Sequence, residues 1–168
     1  MYGSVRPFKS INQIKNDKLK GNNSKKEDIM INIVLDFDKR FEGDVPAVAT
    51  YSGIYVVYAY NGSVKDPKWV LLDIGQAKDM HERHSNHERR AKWEEYVTKN
   101  NMELVIYTAE ITNEHNYRDI AEAALLYNFK PLISQDGKDG YHHEDVRIQV
   151  DGKLKAVFGE FVVYNTDK

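Results

Sequence analysis

Cysteine is missing from this chain of 168 residues. Disulfide frameworks, thiolate-bound zinc and thiol nucleophiles are therefore excluded. An excess of either charge is also missing: 24 Lys and Arg stand against 26 Asp and Glu, a formal net charge of −2. A nucleic-acid role cannot rest on global charge and needs a local basic patch. No apolar run is long enough for a membrane span, and the N-terminus has no signal-peptide segment, so the expectation is a cytoplasmic protein without membrane association. What is present, 41% hydrophobic and 11% aromatic residues, suffices for one domain with a real core.

The sequence divides by composition. Residues 1–28, with "NDKLKGNNSKKED", read as a basic N-terminal arm, a solvated terminus or a weak DNA contact. Residues 29–52 read as a strand, "MINIVLDF" at 30–37, and a loop that starts with "KRFEG". The core runs over 53–134. "GIYVVYAY" (53–60) and "WVLLDIG" (69–75) are β-branched and aromatic, joined by a turn-forming stretch, and predict an antiparallel pair. Asp79 with Glu82 has capping-box form and predicts a helix start. Ser85 with Glu88 is a second box and predicts a break and restart, with Ala91, Trp93, Tyr96 and Val97 turned inward. "MELVIYTAEI" (102–111) predicts a third strand. Asn116 with Asp119 opens a second main helix that buries Ile120, Ala121, Ala124 and Leu125 and is closed by Pro131. Residues 135–168 read as a β-hairpin extension turning at Asp151-Gly152. This order predicts an α+β domain without internal repeats.

His81, His84 and His87 recur at every third position. A row spaced this way drifts around a helix by about 60° per step. Three imidazoles so placed do not converge readily on one tetrahedral ion. A solvated face is the plainer reading of His81 and His84.

A second constellation carries more chemistry. Phosphodiester hydrolysis needs a base for water, a cation for the developing phosphate charge, and help for the leaving oxygen. Tyr55, Asp73, Arg83, His87 and Glu122 supply that inventory. On a continuous helix Arg83, His87 and Arg90 would share one face as a cationic stripe suited to phosphate. Taken singly, Tyr55 fits core packing, Arg83 fits a surface arginine, and Glu122 fits an ion pair with Arg118.

The set as a whole resembles the GIY-YIG nucleases. "GIY" stands intact at Gly53-Ile54-Tyr55, and the second signature stands as Asp73-Ile74-Gly75. Arg83 and His87 follow with the family's four-residue spacing, and "AEAALLYNFKPL" resembles its glutamate helix and Lys-Pro turn. The resemblance spans residues 53–134 and implies a three-stranded antiparallel sheet flanked by helices. It further implies a divalent-metal-dependent endonuclease acting on DNA, with RNA as another possible substrate. Tyr55 would activate water, Arg83 would contact the scissile phosphate, and Glu122 would hold Mg²⁺ or Mn²⁺. His87 would contact phosphate or carry a proton. Lys78, Arg90, Lys130 and Ser134 would meet nucleic acid.

Two positions depart from the pattern. Asp73 replaces the second tyrosine, and Ser134 replaces the usual asparagine. Asp73 reads as a substitute base, as a second metal ligand opposite Glu122, or as a mark of lost activity. The last option makes the chain a catalytically impaired nucleic-acid-binding module. A structural or partner-binding protein is the remaining alternative.

Overall fold

The computed structural model describes residues 30–42, 50–112, 116–134, 137 and 139–168. The basic arm at 1–28 and most of the loop at 43–49 lie outside the described residues. In chain order the elements are β1 (Ile31–Phe37), β2 (Lys39–Glu42), β3 (Gly53–Tyr60), β4 (Trp69–Ala77), α1 (Met80–Ser85) and α2 (Arg90–Asn100). They continue with β5 (Glu103–Glu110), α3 (Tyr117–Phe129), β6 (Val146–Gly152), α4 (Lys155–Phe158) and β7 (Glu160–Val163).

Strand β3 shows why the fold closes where it does. It lies between β4 and β5 in an antiparallel four-stranded sheet ordered β2-β5-β3-β4. Both of its faces are covered, so its residues run apolar almost without alternation. Ile54, Val56 and Tyr58 join one core with α3, and Tyr55, Val57 and Ala59 join a second core beside Trp93 of α2. Gly53 is required here, because a Cβ would overlap the backbone carbonyl of Ala109 on β5.

The second sheet joins the two extensions. β1 pairs in parallel with β6, and β6 pairs antiparallel with β7. The inward residues Ile33, Leu35 and Phe37 alternate with exposed ones, and they share a core with Ile148 and with Ile120 and Leu125 of α3. The architecture is therefore α+β; the described residues form a mixed three-stranded sheet, an antiparallel four-stranded sheet and four helices.

Three local expectations are corrected. "KRFE" is strand β2 rather than loop, because it pairs with β5 and Phe41 packs beside the Trp93 core. The Asp151-Gly152 turn does not join two strands directly. α4 intervenes, and β6 and β7 meet across it. Ala91 faces solvent, leaving Trp93 as the fully buried residue of α2. Asn116 opens α3 as expected, from the N-cap position and without a side-chain cap bond, while Asp119 bonds Gln76. Other expectations hold: Asp79 caps α1 by accepting from the Glu82 N–H, and the helix breaks at Ser85. α3 buries Ile120, Ala121, Ala124 and Leu125 and ends before Pro131. Among the described residues no helix is long and apolar enough to cross a membrane.

Candidate active site

Tyr55 and Gly75 are directly paired across β3 and β4. A Cβ at Gly75 would overlap the Tyr55 phenol, so the glycine lets the ring lie across the neighbouring strand. Ile54 and Ile74 point to the opposite face and anchor both strands in the α3 core. The two signatures thus form one unit: isoleucines fix the strands, and the glycine makes room for the phenol.

The loop between α1 and α2 brings His87 onto that phenol, with Nε2 2.6 Å from Tyr55 Oη. The backbone N–H of Arg89 donates to His87 Nδ1 at 3.0 Å. Since Nδ1 accepts, the ring proton is assigned to Nε2 and is donated to Tyr55. Burial and the charge of Arg83 depress the His87 pKa to about 3, so the ring is neutral. Burial and the charge of Asp73 raise the Tyr55 pKa above its ordinary value, while Arg83 and Arg89 oppose them. Tyr55 in the free protein is a protonated phenol.

Arg83 lies beside this pair. Its two terminal nitrogens fork onto Glu88 at 2.8 Å each, and its Nε is buried without a hydrogen-bond partner. With Lys78, Asp79, Glu82 and Asn86 it lines a cleft of about 300 Å³. The expected stripe of Arg83, His87 and Arg90 along one helix does not form, because α1 and α2 are separate. Arg90 instead bonds Glu94 one turn on, at 2.7 Å.

Asp73 has a different position from the one its sequence neighbours suggest. Leu72 is bulged out of register, so Asp73 pairs with Val57 and Leu71 with Tyr58. Asp73 is fully buried and accepts from Arg89 Nη1 at 2.7 Å, from the Ile74 N–H at 2.9 Å, from the Ser134 hydroxyl, and through Oδ2 from Trp93 Nε1 at 3.0 Å. Three of these bonds fall on Oδ1 and one on Oδ2. The carboxylate holds Arg89, whose own backbone N–H bonds His87. Ser134 is buried with it and engaged with Asp73 and Arg89. The segment after Pro131 delivers it by bonding along the β4 edge, Leu132 to the Leu71 carbonyl and Ile133 to that of Leu72.

Glu122 projects from the partly buried side of α3. Burial and then the Asp119 charge raise its pKa, while Gln76 and Arg89 oppose them. Gln76 on β4 also holds Asp119 and the Nε of Arg118, and Arg118 reaches Ser52 at 3.0 Å. Arg118 is therefore committed to β4 and not to Glu122. Trp93 packs on the Tyr55 face of the sheet and α3 on the other. Glu122 and Tyr55 thus approach from opposite faces of edge strand β4, and the Arg89 charge acts on both. Of the residues proposed for a metal, Glu122 alone offers a carboxylate, which could anchor a magnesium ion that keeps most of its water. A cation there would also favour the charged Glu122 that burial disfavours. Among the described residues no group of three or more His, Asp or Glu could form an all-protein cage.

Lys78 and Lys130 are exposed, with Lys130 Nζ 6.0 Å from the Tyr127 ring centre. His81 is exposed, but His84 is not, which corrects its reading as surface. It is 1% exposed, meets Tyr55 edge-on at 4.9 Å, and has neither ring nitrogen bonded. Burial depresses its pKa to about 4. Sequence reasoning missed Arg89, Gln76 and Arg118 as well, since only the tertiary fold supplies their partners. Comparison with protein-family models, with curated proteins and with solved structures gave no match.

Proposed function

We propose that this protein is a GIY-YIG-type endonuclease that hydrolyses DNA phosphodiester bonds with Mg²⁺ or Mn²⁺ at Glu122. One observation carries the reading. Tyr55, His87 and Arg83 come together from a strand, a loop and a helix, with the guanidinium charge acting on both the phenol and the imidazole. The order from β3 to α3, two strands, the helices α1 and α2, a strand and a helix, supports the family resemblance. β2 and the second sheet are additions to it.

In this reading Arg83 exchanges its fork on Glu88 for the scissile phosphate, whose oxygens match the same planar donors. Tyr55 would first lose its phenol proton to solvent; the phenolate, held by the His87 Nε2–H, would then take the proton of the attacking water and return to the phenol. The divalent ion supplies Lewis acidity toward the phosphate and leaving oxygen. Asp73 and Ser134 hold Arg89 and thereby the imidazole. Lys78 and Lys130 are candidates for outer phosphate contacts.

Nicking of supercoiled plasmid with added Mg²⁺, against chelated controls, tests this. Cleavage should be metal-dependent and abolished by Arg83→Ala and by Glu122→Ala. A second reading is favoured by the raised Tyr55 pKa, which opposes a base role: a non-catalytic nucleic-acid-binding module. Salt-sensitive DNA binding without cleavage of DNA or RNA would select it. Absence of both binding and cleavage would sink the nucleic-acid assignment.

A further inference from the structure

The loop between α1 and α2 places two neighbouring side chains on two different partners. His87 turns onto Tyr55, and Glu88 turns onto Arg83. Each carboxylate oxygen of Glu88 accepts from one terminal nitrogen of the guanidinium, at 2.8 Å. A guanidinium takes two oxygens of a phosphate in the same paired geometry. The carboxylate also has Oε1 4.0 Å from Arg89 Nε and Oε2 3.9 Å from His87 Nδ1. Glu88 thus holds the donors that the proposed function gives to a phosphate, beside the Tyr55–His87 pair.

Helix stability does not account for this contact. Ser85 and Glu88 have capping-box spacing, but no side chain caps α2, and the Ser85 hydroxyl donates back to the His81 carbonyl. Arg83 and Glu88 are five residues apart across the break between two helices, not three or four apart on one of them. The pair is also open to solvent, with side chains 34% and 56% exposed. An ion pair this open contributes little to folding and is screened by salt. Arg83 lines the cleft next to Lys78, so an anion has a route to it from solvent.

We propose that Glu88 is a built-in competitor for the phosphate seat at Arg83: a nucleic-acid phosphodiester binds by displacing its carboxylate, and Glu88 thereby sets the affinity of the site. This role rests on the nucleic-acid reading given above, and not on cleavage.

The test follows binding of the full chain to a short fluorescent DNA duplex by anisotropy, with EDTA present so that no cleavage intervenes. Glu88→Gln should tighten binding by roughly 3- to 10-fold, since a neutral amide holds the guanidinium less strongly. Loss of any surface carboxylate lessens repulsion of DNA, so Glu94→Gln is the control. Its carboxylate pairs with Arg90 at 2.7 Å, away from Arg83, and its loss should change affinity less than about twofold. Arg83→Ala should weaken binding. In the Arg83→Ala chain, Glu88→Gln should gain no more than Glu94→Gln does, because nothing is left to compete for. Both glutamates are more than half exposed, so their variants should fold, and thermal melts check this. Equal gains from Glu88→Gln and Glu94→Gln, or a Glu88→Gln gain that survives in the Arg83→Ala chain, would overturn the proposal even if the wild type nicks plasmid. A selective Glu88→Gln gain in a chain that never cleaves would uphold the competitor and remove the nuclease. No binding of the duplex by any variant would overturn both.

Discussion

Around Asp73 the buried polar groups are matched; around Tyr55, on the adjacent strand, several are not. The carboxylate of Asp73 accepts from Arg89, Trp93, Ser134 and a backbone N–H. Beside Tyr55, both nitrogens of His84 and the Nε of Arg83 lack partners. Both regions pack against Trp93 and share Arg89. A saturated cluster has no bond to offer a substrate and serves to fix geometry. An unsaturated one retains donors that a phosphate can engage, at a cost in stability. Under the proposed function the contrast would place scaffold at Asp73 and chemistry at Tyr55 and Arg83.

The largest effect should come from breaking the saturated side. Asp73→Ala leaves Arg89 and Trp93 Nε1 without their acceptor, and removal of one member of a buried pair typically costs about 3–5 kcal/mol. Urea unfolding should register a loss of that size. Asp73→Tyr should be destabilising as well, since a phenol at this buried position cannot accept from all four donors. Normal stability with no cleavage in Asp73→Ala would return the carboxylate to the chemistry.

Tyr55→Phe tests the unsaturated side. It deletes the oxygen that His87 meets but retains the ring among His84, His87 and Trp93. The melting temperature should move little, while cleavage falls by roughly 10²-fold or more. Because the Tyr55 pKa is raised, the phenolate fraction at neutral pH is small and grows tenfold per pH unit. Wild-type cleavage should therefore rise with unit slope from pH 7 to 9. A bell-shaped profile centred near pH 7 would rule out phenolate as the base.

His84 gives the intermediate effect. Its folded pKa of about 4 lies below the ordinary 6.5, so its contribution is intact above pH 6.5 and is lost as pH falls toward 4. At about 1.4 kcal/mol per pH unit, roughly 2 kcal/mol should be gone by pH 5. His84→Phe should lessen the slope of the stability curve over pH 6.5–5 without abolishing it, because His87, with its pKa of about 3, titrates over the same window in the unfolded chain. Curves that stay parallel would mean that His84 is protonated in the folded protein.

Much of the central architecture was legible because it rests on local signals. β3, β4 and β5 followed from β-branched and aromatic runs, and α1 from Asp79 and its capping partner. The capping-box spacing at Ser85 marked the break that carries His87 onto Tyr55, although no side chain caps α2. What failed depends on pairing at a distance. β2 has strand character only because β5 accepts it, and the second sheet needs β1 and β6, more than a hundred residues apart, to meet. The Asp73 role was illegible because its bulge and its partners at 89, 93 and 134 are tertiary. The histidine spacing gave no sign that His84 is interior.

Ser134 should give the smallest effect and the finest division between the two regions. Its hydroxyl donates to Asp73 and accepts from Arg89 Nη1 at 3.1 Å, so it belongs to the saturated side. Ser134→Ala leaves Asp73 with Arg89, Trp93 and the Ile74 N–H. The loss should be about 1 kcal/mol, the net worth of one hydrogen bond. DNA affinity should stay within about twofold, because a side chain 1% exposed offers no surface to phosphate. Urea unfolding and a filter-binding titration on the same preparation separate these quantities. Unchanged stability with affinity reduced tenfold would move Ser134 to the nucleic-acid surface and dissolve the boundary between scaffold and site.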